Sequence, residues 1–342
     1  MTIFYRIMSS CAAVLMALTI TGECSAAQKI SWKVATLAPQ EIGYAKEFKA
    51  ILLPALSRAT DGDLAVKVYW GGVMGDDRQY LDKMRVGQLQ GAGLSAQGTL
   101  NMSKPVGVLS LPFLFNNYEE VDYIKKRMLS RFDGLIAADG FRLLMWLDQD
   151  FDQIYSTKFP VTKLADFSRA RFIIWPGVLE GKFLERLGTQ PVISGVTEIP
   201  SSIKSGVADA AISPAIFVVG AQLYSTFKYI NTTKVRYFPA FTVCSNKAWD
   251  QLPPQYQKAI SEGREKWSKD FCALTRDDTA KAVKAMKQYG LQIVNSSPGE
   301  IRDIREKTLP LWDELSGKLY SRELLNEIKE NLAQYRSSRK SG

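Results

Sequence analysis

The chain contains no histidine among its 342 residues. Histidine is the side chain whose unperturbed charge changes between pH 5 and 8, and it serves most hydrolytic triads and ordinary zinc sites. Those layouts are excluded; an enzyme here would have to work with Asp, Glu, Lys or Tyr. Cysteine is scarce. Of four, Cys11 and Cys24 stand near the N-terminus, leaving Cys244 and Cys272 in the body of the chain. These two could pair in an oxidising compartment or remain buried thiols. The one long apolar run, residues 7–20, has about 14 residues against the ~20 that span a bilayer. No zinc finger or RNP-like motif is present. The glycine-rich stretch Gly71-Gly72-Val73-Met74-Gly75-Asp76-Asp77 lacks both the lysine of a P-loop and the GxGxxG spacing, so it is not a nucleotide cradle.

What is present reads as a globular chain, with 46% hydrophobic and 23% charged residues. Its length suits two domains of ordinary size. The net charge is +9, but Lys and Arg are spread along the chain among acids, so the reading is a solvated mixed surface with no nucleic-acid partner. Residues 1–27 read as an export signal. Arg6 supplies the positive start, residues 7–20 the apolar core, and Ser25-Ala26-Ala27 or Cys24-Ser25-Ala26 the small residues for cleavage near residue 26 or 27. Glu23 before Cys24 argues against lipidation. The mature chain is expected in the periplasm.

Residues 164–214 organise the rest. Residues 172–175 form an apolar run suited to a buried strand. Pro176 suits the first turn of a helix, in which Leu179, Phe183 and Leu187 recur every four residues and Gly188 is placed to stop it. Residues 191–194 are a second strand, Thr197 caps a short helix bearing Ile199 and Ile203, and residues 210–213 are a third strand closed by Pro214. Strands alternating with helices imply a parallel sheet, with ligands beyond the carboxyl ends of the strands, here at Trp175-Pro176 and Ser213-Pro214. Residues 30–35, 64–70 and 91–95 repeat this strand grammar around helices at 45–60 and 79–86. Helices are expected at 118–129 and 130–139, and a crossing strand at 141–146. A second crossing strand at 237–244 precedes a helix of about 35 residues from Pro254 to Gln288. The end, residues 334–342, reads as a frayed polar tail.

These segments carry a resemblance. Asp166-Phe167, Ile173-Ile174-Trp175-Pro176, residues 188–192, Gly206-Val207-Ala208-Asp209 and Pro214 are similar to the signature of the TRAP-type extracytoplasmic solute-binding proteins, the DctP-like family. Residues 109–115 (LSLPFLF), the loop at 71–77 and residues 246–253 (NKAWDQLP) resemble further family motifs, so the likeness covers about Ile30 to Leu315. It implies an α/β, two-domain periplasmic binding protein fold with hinge-crossing strands and a long bracing helix. The implied divisions are 28–150 with 240–279, and 151–239 with 280–342. The implied function is capture of a solute and delivery to TRAP membrane permease subunits, with no catalysis and no cofactor.

Two arginine positions of the family are changed here. Its ligand-binding arginine, two residues before the signature proline, is Ile174, and a second arginine position is Asp152. The asparagine common before the last proline is Ser213. An arginine fork suits a carboxylate, and isoleucine would leave that carboxylate unpaired. The expected ligand is therefore neutral, apolar or amphipathic, extending to lipid-like molecules, and held by Trp70, Phe113, Phe115, Phe151, Asp152, Ile174, Trp175 and Ser213. Any one of the apolar residues could instead be ordinary core. A branch of the family that works with a periplasmic TPR-repeat partner also lacks the anchor arginine. Arg171 or Arg236 could replace the anchor, which would keep the chain an organic-acid binder, although Arg171 faces away from Ile174 in a regular strand. Asp148, Asp150 and Asp152 share one face at spacing two. They read as a solvated hinge edge, with a metal-dependent enzyme as the rival from another class. A scaffold with a filled cleft is a third reading.

Overall fold

The computed structural model describes residues 29–340 apart from Ile42 and Pro176. The export signal and the helix start at Pro176 lie outside the described residues. Among the described residues, eleven strands form two sheets. Alternation in β1 (Ile30–Thr36) turns Trp32 and Val34 inward onto Phe48, Leu52 and Leu56 of the following helical segment. β1 lies parallel to β2 (Leu64–Tyr69) and β3 (Gly91–Leu94). β4 (Phe141–Phe151) and β10 (Tyr237–Ser245) complete this sheet in the order β2-β1-β3-β10-β4, with β10 antiparallel to both neighbours. The second sheet has the order β11-β9-β5-β8-β6-β7. It is built from β5 (Gln153–Ser156), β6 (Phe172–Ile174), β7 (Val192–Ile193), β8 (Ala210–Ser213), β9 (Tyr229–Asn231) and β11 (Gln292–Val294).

The chain passes between the sheets at Asp152, the single residue separating β4 from β5, and again where β10 begins with Tyr237 opposite Phe151. The β10–β4 register slips between Phe238 and Pro239, as expected where a proline has no N–H for the ladder. The long helix is Pro254–Tyr289, 36 residues and about 54 Å by the usual rise. Ile260, Phe271 and Cys272 pack into the core beneath β1, while Ala282 and Met286 pack into the core of the second sheet. One element therefore braces both halves. Among the described residues, no helix is long and apolar enough to cross a membrane.

Several local expectations are corrected. The segment expected as a plain helix at 45–60 contains a π turn at Phe48–Leu52, just before Pro54, where the missing N–H would break a regular ladder. The two helices expected at 118–129 and 130–139 are one, Tyr118–Ala138, because Ile124, Met128, Phe132 and Ile136 keep one apolar face across the join. Thr197 does not cap a helix. It is exposed within a 3-10 turn at Val196–Glu198, and the helix starts at Ile199 with Pro200 in its first turn. The expected frayed tail is a helix, Arg322–Lys340, whose Leu324, Leu325, Ile328 and Leu332 are buried. It packs on Tyr118–Ala138. Cys244 and Cys272 are both buried free thiols.

Candidate functional site

The carboxyl ends of β1, β3 and β6, and the turn after β8, face one another across the gap between the sheets. A cavity of about 240 Å3 lies there. Thr36, Leu37 and Ala38 enter from the end of β1, Leu94 and Ser95 from the end of β3, and Gln149 and Phe241 from β4 and β10. Tyr44 and Phe48 come from the helix after β1. Trp175, Ile216 and Phe217 close it from the second half, with Trp175 edge-on to Phe217 at 5.5 Å between ring centres. Among the described residues that line it, none is Asp, Glu, Lys or Arg.

The polar groups on this wall are largely engaged with the chain itself. Tyr44 donates to the Gln149 main-chain carbonyl at 2.5 Å. Ser95 donates to Asp77, whose carboxyl burial pushes up to about 6 against the opposing Ser95 hydrogen bonds. The Gln149 side-chain oxygen accepts from the Ala96 N–H at 2.8 Å.

The two faces touch. A Cβ built on Gly43 would stand 2.8 Å from Ile216 of the opposite face, and one on Gly177 would stand 2.2 Å from the Gln97 side chain. Gly43 also has φ +54°, a conformation that favours glycine. Gly43→Val should therefore hold the cleft open. A clash of ~1–3 kcal/mol against the closed form shifts that balance roughly 5- to 150-fold. Small-angle X-ray scattering should show a larger radius of gyration for the variant; an unchanged radius would sink this account of closure.

The sequence-predicted residues lie at different distances from this cavity. Trp175 lines the cavity. Ile174, Trp175 and Ser213, with Glu180 and Phe238, line a small adjoining void of about 20 Å3, room for about one water. Trp70 is half-buried and packs edge-on against Phe48 at 6.2 Å, one side chain removed from the cavity. Phe113, Phe115 and Phe151 are buried in the core. Phe115 and Phe151 pack around Tyr237, and Phe113 sits at φ +56° beneath the Arg305 guanidinium. None of these three lines the cavity. Sequence reasoning missed Tyr44, Phe48, Gln149, Ile216 and Phe217. Their signal was position: the first two follow the loop at the end of β1, and the last two follow Pro214.

The aspartates are not a solvated edge. Asp148, Asp150 and Asp152 are 0%, 2% and 1% exposed. Asp148 lies between Lys125 at 2.5 Å and Arg276 at 2.6 Å and accepts from the Tyr237 hydroxyl at 2.6 Å. Asp150 accepts from Tyr118 at 2.7 Å and from Gln153 at 3.1 Å; burial pushes it up to about 6. Asp152 meets the buried Arg236, which donates from Nε at 3.0 Å. Arg236 also lies 3.3 Å from Glu180. Burial pushes Asp152 up to about 7 despite Arg236, and its second oxygen is buried with no partner among the described residues. Each carboxylate thus answers to protein groups, and among the described residues no cluster of His, Cys, Asp or Glu could hold a metal ion. This removes the geometric basis of the metal-enzyme reading. Arg171 faces outward and pairs with Asp209 at 3.2 Å.

Comparison with known proteins agrees with this architecture. The model of the DctP family, bacterial extracellular solute-binding protein family 7, matches residues 33–318. The C4-dicarboxylate-binding periplasmic protein DctP of Rhodobacter capsulatus is 24% identical over 85% of this chain and 86% of its own. A TRAP periplasmic solute-binding protein of Chromohalobacter salexigens, solved with bound D-glucuronate, superposes with a TM-score of 0.82 at 20% identity, covering 88% of this chain and 99% of that one. The sugar acid binding protein of Advenella mimigardefordensis, in complex with galactonate, superposes at 0.83 with 19% identity, covering 90% and 99%. With the match spanning most of its length, the chain belongs to the bacterial extracellular solute-binding proteins of family 7, which bind solutes and are not enzymes.

Proposed function

We propose that the cavity captures a small, neutral and largely apolar molecule. The chain is the extracytoplasmic solute-binding subunit of a TRAP-type transporter, and its partners are that solute and the membrane permease. The observation that carries the ligand class is the lining itself: largely aromatic and aliphatic walls with no ionic side chain among the described residues. A carboxylate seated there would keep its charge without a counterion, a costly arrangement. Neither arginine that could have moved into the anchor role is free. Arg236 is held by Asp152 and Glu180, and Arg171 by Asp209 on the outer side. The volume lies at the small end for ligand pockets, so the solute is compact.

In this reading the division runs as 28–150 with 240–279 against 151–239 with 280–342, and Arg322–Lys340 reaches back across it onto Tyr118–Ala138. The two units close by rotation about the crossings at Asp152 and Tyr237. The acids bound by related proteins favour a second reading, an organic-acid binder. Native mass spectrometry of the mature chain, with solvent extraction of anything carried through purification, separates the two. A neutral molecule is expected. A bound sugar acid, or displacement of the cargo by D-glucuronate at micromolar concentration, would overturn the neutral reading in favour of the second.

A further inference from the structure

We propose that Gln149 sets the specificity of this cavity by donating a hydrogen bond from its side-chain amide to an acceptor oxygen on the solute. The site would then select neutral molecules carrying a carbonyl, over hydrocarbons of the same shape and over acids. The inference rests on the reading of the cavity as the solute site. Gln149 lies near the end of β4, is 6% exposed and lines the cavity. Its amide is oriented, because the oxygen accepts from the Ala96 N–H at 2.8 Å and Nε2 must then point away from that bond.

Nε2 donates to no described residue. Nε2 is not among the fully buried polar atoms without a partner, so it keeps some accessible surface, and Gln149 lines the cavity. The neighbouring Tyr44 and Ser95 hydroxyls give their protons to the Gln149 carbonyl and to Asp77, and neither accepts from Nε2 in this structure. Thr36 is the other deeply buried polar side chain on the wall; its oxygen accepts from the Ala38 N–H at 3.3 Å.

When an apolar solute fills the cavity, water leaves Nε2. A solute with a carbonyl replaces that water, whereas a hydrocarbon leaves the donor unpaired. Sites built to hydrogen-bond a substrate reject analogues that lack the group far more strongly than they reject small changes in apolar shape. A carboxylate gains the same single bond but brings a charge against Phe48, Trp175 and Phe217 with nothing to neutralise it. Orientation follows as well. The oxygen faces β4, and the apolar body lies against Trp175 and Phe217 of the second half.

The test is calorimetric titration of the mature chain with three matched probes: benzylacetone, butylbenzene and hydrocinnamate. The parent should bind the ketone at least about tenfold more tightly than either of the others. In Gln149→Met that preference over the hydrocarbon should fall to within about threefold, while butylbenzene binding persists and reports a folded cavity. Gln149→Glu keeps an acceptor for Ala96 and removes the free donor, so it should lose the preference too. A parent that binds butylbenzene as tightly as the ketone, or a Gln149→Met variant that keeps the full preference, overturns the role of Gln149 and leaves the neutral-solute reading standing. A parent that prefers hydrocinnamate overturns both. A parent that binds none of the three overturns the proposed selection.

Discussion

Replacing Arg236 with methionine should destabilise the fold by about 3–5 kcal/mol near neutral pH, the usual loss when one member of a buried ion pair is removed. Arg236 is 2% exposed and is the cation nearest both Asp152 and Glu180, at 2.9 and 3.3 Å. Without it two carboxyls remain in a dry interior. The deficit should depend on pH. Burial raises both carboxyls, Asp152 to about 7, and Arg236 is the main influence pulling them down. A carboxyl raised in the folded chain holds a proton that the unfolded chain releases. Folded stability from such a group is therefore greatest below about pH 4 and declines as pH rises toward the folded value. Losing Arg236 raises both further, so the variant should be closer to the parent at pH 5 than at pH 7.5. Urea unfolding at the two values measures this. A deficit under 1 kcal/mol at both, or one that grows on acidification, would mean that Arg236 does not neutralise this pair.

Asp148→Asn should cost a similar ~3–5 kcal/mol, for the mirror-image reason. Here one buried carboxylate serves two cations, Lys125 and Arg276, and one hydroxyl, Tyr237. Burial works to raise its value, but Lys125 and Arg276 overcome it and hold the carboxyl down at about 2. A lowered carboxyl contributes stability above its unfolded value, near 3.8, and that contribution is lost as pH falls toward 2. The shift corresponds to roughly 2 kcal/mol. The parent should thus lose stability steeply below about pH 4, and the Asp148→Asn variant should lack that limb. Melting temperatures of the two chains from pH 2 to 6 check this. Equal acid limbs in parent and variant would refute it. With no histidine in the chain, stability changes between pH 5 and 8 fall to raised carboxyls such as Asp77, Asp150 and Asp152.

The same residues show where sequence reading stops. Period two placed Asp148, Asp150 and Asp152 on one face, but period says nothing about what other elements bring to that face. Lys125 comes from 23 residues away and Arg276 from 128, and they turn an apparent solvent edge into an interior network. By contrast, residues 172–213 were readable because each strand and helix is signalled by its own neighbours: Phe172–Ile174 by apolar run, Val178–Arg186 by four-residue spacing, Ala210–Ser213 by its closing proline. The long helix was readable for the same reason. Phe48 and Gln149 were not. An aromatic on an amphipathic helix looks like core whether or not one edge meets a cavity, and a glutamine between two aspartates draws no notice. The departure at Ile174 was visible in the sequence; that Arg171 and Arg236 are already committed was not.

The closing helix has a consequence for how the chain comes to be folded at all. Arg336 binds Glu120 across 216 residues, Tyr237 binds Asp148 across 89, and Tyr256 binds Asp63 across 193. The sheet begun at Ile30 is completed only by β10, and the helix Tyr118–Ala138 is covered only by Arg322–Lys340. Chains dominated by such distant pairings fold slowly, because loop closure must come before the contacts that stabilise it. Arg322–Lys340 joins Tyr118–Ala138 across 216 residues at Arg336 and Glu120, so the covering of that helix has to wait for one of the most distant pairings in the fold.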